Sequence, residues 1–595
     1  MTEAVSAKIR AQERWDYVIV GAGAAGCVLA NRLTASGRHR VLLLEAGGTD
    51  NKLWIKVPAG FTRTIFDNSV GWGYANAPAP HTGNRAIPCP RGRVLGGSSS
   101  INGHLYVRGQ AADYTDWVAL GAVGWGWDAV LPYFRRAESR ANGDPATRGH
   151  DGPLQVTDPR MQHLLCAAFI GALHTLGEPL NPDYNSGDQR GAGYYQYLMH
   201  NGRRWSAADA YLRPALARPN LTLRTGAHAT RIVFEGRRAA GIEYRHQGQL
   251  RVARAAAEVI LAGGSINSPQ LLQLSGVGDP AVLQAAGVAL THALAGVGEN
   301  LVDHYAARLA ARVCGTGSLN ERTHLPRVAL EVFKYLFARR GVLSSAVAHA
   351  YGFINVAGGG AGGVGPALRI AAASSTTPGV SQVNVGPPQV YLSPSGGGRR
   401  KAAAWGCSEL ALRPDVQLLF APASFERGKM GQAAMERLPG LTCGVQQLRP
   451  HSRGHVRIAS NDPFAAPEIQ PNYLADERDV EALLGGIKYV RRLFGAAPLS
   501  TYIESETWPG TDATNDQELI DFARNTGSTV YHPVGTCRMG TGSDAPVDPA
   551  TLRVKGLDAL RVIDASVMPS MISGNTYATT IMIAEKGAEL VLAGR

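Results

Sequence analysis

The sequence predicts an α/β protein with α+β elements: a Rossmann-like nucleotide-binding domain built from discontinuous segments, joined to a second, sheet-based substrate-binding domain. Three observations lead there. A β-branched run, a Gly-x-Gly-x-x-Gly turn and a helical pattern follow one another between residues 16 and 33. Apolar strand patterns ending in glycine or aspartate recur in the middle and near the end of the chain. The 595 residues, 45% hydrophobic and 18% charged, show globular usage with chain enough for more than one domain.

Asp16–Val20 reads as a buried parallel strand, Cys27–Leu33 has helical spacing, and a second strand, Val41–Leu44, ends at Glu45. Between strand and helix lie Gly21, Gly23 and Gly26. The first permits a tight turn, the second lets backbone approach a pyrophosphate, and the third lets helix and strand pack closely. The helix start offers unpaired N–H groups and the positive end of its dipole to phosphate. Glu45, at the spacing this fingerprint requires, accepts from a ribose diol and repels a 2′-phosphate, so the nucleotide is FAD or NAD and not NADP.

Residues 50–110 are loop-rich, and Arg91–Gly103 is dense in glycine and serine, exposing backbone donors that can wrap an anion or a polar ring. Strand patterns follow at Leu221–Leu223, Arg231–Phe234 and Glu258–Leu261, the last leading into a helical stretch from Ser268 to Leu274 with Pro269 just inside its start. Residues 356–404, rich in Gly, Ala, Ser and Pro, read as a long mobile surface insertion. A last strand, Leu560–Ile563, meets Asp564, and Ile581–Lys586 is helical.

Net charge is +12, from 59 basic and 47 acidic residues, but the basic residues are scattered. The longest cluster is Arg399–Lys401, and no basic run interleaves with aromatics, which argues against nucleic acid as a partner. Seven cysteines, an odd number, widely spaced and without CxxC, indicate neither a disulfide framework nor a metal site and fit a reducing compartment. Met1–Trp15 lacks the apolar core of a secretory signal, and no stretch reaches the 18 or so apolar residues of a transmembrane segment. The expectation is a soluble, cytoplasmic protein.

Taken together with Gly264–Gly278, Gly296–His304, His532–Gly540, Asp564–Pro569 and Gly574–Thr576, the fingerprint and the Arg91–Ser99 loop resemble the glucose-methanol-choline (GMC) oxidoreductases, FAD-dependent enzymes that oxidise alcohols. The resemblance covers nearly the whole chain. It implies an FAD-binding domain made of 14–160, 205–310 and 525–595, and a substrate-binding domain made of 161–204 and 311–524. It places the ADP half of FAD on Gly21, Gly23, Gly26 and Glu45, with the adenine near Ala229. Asn102, with the backbone of Gly96, Gly97, Ser98 and Ser99, is placed facing the flavin ring, and Asp564 and Ala565 at the ribityl-phosphate side; Arg93, Asn575 and Thr576 are further cofactor-binding residues. Some members attach the flavin through a histidine in the Gly96 loop; Ile101 stands at that position here, so FAD is expected to be non-covalent, although His104 lies close by.

Oxidation of a carbinol needs a group to take the hydroxyl proton, and histidine titrates near working pH. The resemblance assigns that base to His532, with Asn575 as its partner, and gives His304 a structural role. Dioxygen or a quinone-like compound is the implied electron acceptor, a dehydrogenase being favoured over an oxidase by the expected cytoplasmic setting. Choline-specific members carry a glutamate in the segment aligned with 342–354, where this chain has His349; choline is therefore disfavoured unless Glu331 or another acid reaches the pocket. Light-driven fatty-acid decarboxylases of the family carry cysteine and arginine where this chain has Ala348 and Leu419, and lack the histidine matched by His532. A non-catalytic flavin-binding protein is the remaining alternative. Tyr577 follows Thr576 where many members have a polar residue, and would narrow or polarise the pocket.

Overall fold

The parallel unit predicted at the N-terminus forms as β1 (Glu13–Val20), α1 (Ala24–Thr34) and β2 (Val41–Glu45). The computed structural model describes residues 13–356, 413–426, 435–511 and 513–594. β2 is buried along its whole length because it pairs in parallel with β1 on one side and with Leu221–Thr225 on the other. An unbroken apolar strand is what a sheet covered on both faces selects.

The first sheet has seven strands. Strand Gln249–Leu261 is its pivot: its beginning pairs antiparallel with Arg238–His246, and its end lies parallel between β1 and Leu560–Val562. Strands from the start, middle and end of the chain thus meet in one sheet. Helix Tyr577–Leu592, longer than its sequence pattern indicated, packs on α1. Between them the fully buried Glu585 carboxylate is held by Arg32 at 3.0 and 2.7 Å, by Arg136 at 2.9 Å and by the Tyr211 hydroxyl at 2.8 Å. Charges buried there are paired, as desolvation requires.

The second seven-stranded sheet is antiparallel, in the order Ile503–Trp508, Tyr305–Val313, Gly440–Gln447, Val416–Ala421, Ala350–Ile354 and Gly191–Tyr194, with Ser528–Thr529 also pairing to Tyr305–Val313. Its side chains alternate with period two. Ala307, Leu309, Leu418, Leu441 and Val445 pack with Leu483, Ile487 and Val490 of helix Glu477–Phe494, while the residues between them face a cavity. The division expected at residue 310 falls inside strand Tyr305–Val313, which belongs wholly to this sheet.

Pro269 also differs from expectation. The helix begins at Gly264, so the proline lies in its interior rather than at its first turn. The carbonyl of Ser265, four residues earlier, loses its helical donor, and the Thr536 hydroxyl supplies one at 2.7 Å. Apart from residue 356, the stretch 356–404 lies outside the described residues. The six described cysteines are free, no group of metal-binding side chains occurs among the described residues, and none of the described helices is long and apolar enough to cross a membrane.

Candidate active site

A cavity of about 450 Å³ runs from the β1–α1 turn, past the Gly96–Asn102 loop, to the face of the second sheet. Gly21, φ +99°, takes the left-handed turn at its head, and a Cβ there would lie 2.6 Å from the Ala262 carbonyl. Gly26 does not line the cavity; a Cβ on it would lie 1.8 Å from the Gly21 carbonyl, so its role is packing. A Cβ on Gly23, by contrast, would meet no chain atom closer than 4.0 Å and would occupy the cavity. α1 has no side-chain cap, and its first N–H groups are left for a ligand.

Glu45 lines the cavity and accepts from the Ala22 N–H at 2.9 Å and the Gly47 N–H at 2.8 Å. Burial pushes its carboxyl up to about 7 despite these two donors. Ala229 also lines the cavity. In the glycine-serine loop a Cβ on Gly97 would sit 2.8 Å from the Gly23 Cα, which locks this loop onto the β1–α1 turn. Gly97, Ser98, Ser99 and Asn102 line the cavity, whereas Gly96 shapes the loop behind it, its N–H bonded to the Ala22 carbonyl at 2.8 Å. Arg93 is a correction: it is exposed, with its guanidinium 5.0 Å from the Trp72 ring centre, and Arg91 lines the cavity in its place. Trp72 itself lines the cavity, and the Arg93 charge still reaches Glu45.

Asp564, Ala565, Asn575 and Thr576 line the opposite wall. The Asp564 carboxylate accepts from the Gly264 N–H at 2.8 Å, the Ser268 hydroxyl at 2.6 Å, and the N–H and hydroxyl of Ser566 at 2.8 and 2.6 Å. It joins the C-terminal segment to the start of helix Gly264–Leu274. Ile101 and His104 both line the cavity; His104 is tied to the Pro58 carbonyl at 2.9 Å, and burial holds it well below the usual imidazole range.

The sequence did not single out Arg204. Fully buried behind the loop, it donates to the carbonyls of Ile55 and Ser99 at 2.9 and 3.1 Å and to Asn102 Oδ1 at 2.8 Å. Burial lowers it to about 9. With its oxygen so engaged, Asn102 turns its amide nitrogen to other partners.

His532 and Asn575 meet: Asn575 Nδ2 lies 3.0 Å from His532 Nε2. His532 Nδ1 lies 3.0 Å from His304 Nδ1, and His304 Nε2 lies 3.2 Å from the Leu448 carbonyl. A carbonyl only accepts, so His304 carries its proton on Nε2 and offers a bare Nδ1. His532 then donates through Nδ1 and keeps Nε2 free as an acceptor, receiving the Asn575 amide. Burial holds His304 at about 4, and burial, the His304 ring and the Arg91 charge hold His532 well below the usual range. Both rings are neutral at pH 7. His304 therefore does more than fill space: it fixes the tautomer of His532.

Behind the pair sits Asp303, which sequence reading passed over. Its buried carboxylate accepts from the backbone N–H groups of His304 and His532 at 2.9 and 2.8 Å and from the Thr529 and Tyr473 hydroxyls at 2.6 and 2.5 Å. Tyr531, at φ +72°, is held by the Thr529 hydroxyl on its N–H and by Arg91 on its carbonyl. A left-handed non-glycine residue persists where its surroundings over-determine it.

On the substrate side the cavity is walled by Ala306, Arg308 and Ala310, by Leu419 and Ala421, and by Thr442, Gly444 and Gln446. Glu331 is engaged elsewhere, with Lys334 and the Val342 N–H. Among the described residues the acid that lines the cavity on this side is Glu426.

Fold and cavity thus define an enzyme that binds an extended dinucleotide against a buried, neutral histidine. The chain belongs to the GMC oxidoreductases: the family's N-terminal model matches residues 15–306 and its C-terminal model residues 450–584. An alcohol dehydrogenase [acceptor] of Pseudomonas putida is 37% identical over 589 residues, 97% of this chain and 96% of that protein. The mitochondrial choline dehydrogenase of Homo sapiens is 38% identical over 599 residues, 98% and 91% of the two chains. A formate oxidase variant from Aspergillus oryzae RIB40, solved to follow its FAD modification, is 25% identical, with a TM-score of 0.83 and coverage of 98% and 99%. The cofactor is FAD, and the open helix start, the space at Gly23 and the unpartnered Asn575 Oδ1 fit it.

Proposed function

We propose that the protein oxidises an alcohol to an aldehyde or ketone, with His532 as general base. The carrying observation is the directed chain from Asn575 through His532 and His304 to the Leu448 carbonyl, which leaves His532 Nε2 as the unprotonated atom on the cavity side. A substrate hydroxyl enters between His532 and Asn575, donating to Nε2 and accepting from the Asn575 amide. Its proton passes to Nε2 as the carbon–oxygen double bond forms. FAD, when bound, supplies the acceptor for the hydrogen and electron pair that leave the carbinol carbon. The resulting imidazolium keeps its Nδ1 bond to His304.

FAD is expected to be held without a covalent bond, through Gly21, Gly23, Glu45, Ala229, the Gly97–Asn102 loop, Asp564, Ala565 and Thr576; acid precipitation that leaves flavin in the pellet would reverse this. Among substrates we place neutral alcohols first. Glu426 supplies the acid whose absence disfavoured choline, but Arg308 lines the same cavity and opposes a trimethylammonium group. Photodecarboxylation is disfavoured by Ala348 and Leu419 on the cavity wall and by the base itself. A quinone-type acceptor is placed ahead of dioxygen, an ordering that rests on the expected cytoplasmic setting.

The test is anaerobic bleaching of the flavin by a panel of alcohols, in the wild type and in His532→Ala. Loss of a positioned base lowers the rate by about 10²–10⁴-fold while FAD stays bound. A variant that bleaches at the wild-type rate removes His532 from this role.

A further inference from the structure

We propose that Gln446 recognises a second oxygen of the substrate, so that the alcohol this enzyme takes carries a hydroxyl or ether oxygen besides the carbinol it loses electrons from. The inference rests on the alcohol-oxidation reading and adds the substrate class.

Gln446 lines the cavity, its residue is 0% exposed, and neither Nε2 nor Oε1 has a hydrogen-bond partner among the described residues. Two other buried glutamines each bond through at least one end of the side chain. Gln273 donates to the Val297 and Val456 carbonyls at 3.1 and 3.0 Å and accepts from the Ile458 N–H at 2.9 Å; Gln417 donates to the Tyr195 hydroxyl at 2.7 Å. A buried amide with both ends unpaired costs stability that an apolar side chain of similar size would not. The expense is accounted for if a ligand completes the pairing.

The setting indicates which ligand. Gln446 stands opposite Ala306 in the strand register, two residues from His304, and two residues before Leu448, whose carbonyl anchors the His304 ring. It therefore belongs to the end of the sheet that carries the base. Ala306 and Gly444 beside it are small and leave room over the sheet face. The carbinol is fixed at His532 and Asn575, so the group read by Gln446 is another part of the same molecule. An amide reads an oxygen: Nε2 donates to a hydroxyl or ether, and Oε1 accepts when that oxygen carries a hydrogen. Sites built to bond a substrate hydroxyl reject analogues that lack it, because their own polar groups then stay unpaired.

The experiment compares 1-alkanols with terminal diols of the same length, from two to six carbons, by anaerobic flavin reduction in the wild type, Gln446→Leu and Gln446→Met. At the best spacing the wild type is expected to favour the diol by about 10-fold or more in kcat/KM. Both variants are expected to erase that preference by losing rate on the diol while keeping or raising it on the alkanol, with FAD content unchanged. A diol preference that survives both substitutions, or a wild type that takes alkanols as well as every diol, overturns the proposal. Binding is read separately from the flavin spectrum with tertiary diols and tertiary mono-alcohols, which have no carbinol hydrogen to lose. If the tertiary diol binds better in the wild type and equally in Gln446→Leu while no alcohol bleaches the flavin, the oxidation reading fails and the oxygen subsite stands. Equal binding in the wild type removes the subsite.

Discussion

The proposed role of His532 as a base depends on surroundings that keep it neutral and on one ring nitrogen being already committed. Burial depresses both histidines, so the protonated forms are disfavoured in the folded protein and the pair titrates as a unit. Two consequences have the same sign. Flavin reduction is expected to be flat from pH 6.5 to 9 and to fall only at lower pH, as the pair gains a proton. Folding stability is expected to fall as pH drops below 6.5, where the unfolded imidazoles bind protons that the folded ones refuse. An acid limb at pH 7 or above in stopped-flow reduction would contradict the first. Asp303→Asn should fold, because the Thr529 and Tyr473 hydroxyls can reverse and accept from the new amide. It also weakens the charge-assisted bonds that hold the His304 and His532 backbones in place, so the reduction rate should fall about 10-fold at unchanged FAD content. Glu45 behaves oppositely to the histidines. Burial raises its carboxyl to about 7, and a ribose diol that donates to the ionised form lowers it again on binding. FAD affinity should therefore rise with pH up to about 7 and then level off. Glu45→Gln should flatten that profile and weaken binding by about 1–2 kcal/mol, read by fluorescence titration of the apoprotein.

Among the elements, the glycine-serine loop and the β1–α1 turn form one structure, because Gly97 and Gly23 touch through their backbones. Gly97→Ala, at φ +54° and with its Cβ 2.8 Å from the Gly23 Cα, should lose FAD retention before it loses the second sheet. Near-ultraviolet circular dichroism against flavin absorbance separates the two. Helix Gly264–Leu274 tolerates its internal proline because Thr536 supplies the missing donor. Thr536→Val should cost about 1–3 kcal/mol, measured by denaturant unfolding, since it leaves the Ser265 carbonyl bare inside the protein.

At the scale of the molecule the cavity is formed by both sheets, so the cofactor is wedged between units that each have a hydrophobic core. Removing FAD should lower Tm, and readdition should restore it in a concentration-dependent way, as binding to the folded state alone requires. The electron acceptor is also a whole-molecule property, since it depends on what reaches the flavin through the mouth. We expect reoxidation by a quinone to outrun reoxidation by air-saturated buffer in stopped flow; the reverse order makes the enzyme an oxidase.

The N-terminal nucleotide unit was legible from sequence because its requirements are local: glycines at Gly21, Gly23 and Gly26, an apolar strand on either side, and an acid at Glu45, all within one stretch of chain. His532 and Asn575 were legible only through resemblance, since nothing in their own neighbourhoods distinguishes them from other histidines and turn asparagines. Tertiary structure alone decided the rest. It stacked Arg93 on Trp72 of the cavity wall and brought in Arg204 from the chain more than a hundred residues on. It set His304 against His532 across 228 positions of sequence and clamped both with Asp303. Backbone pattern dictates which stretches become strands and helices. The protonation state of a buried side chain is set by its neighbours, and those neighbours are chosen only when distant segments pack together.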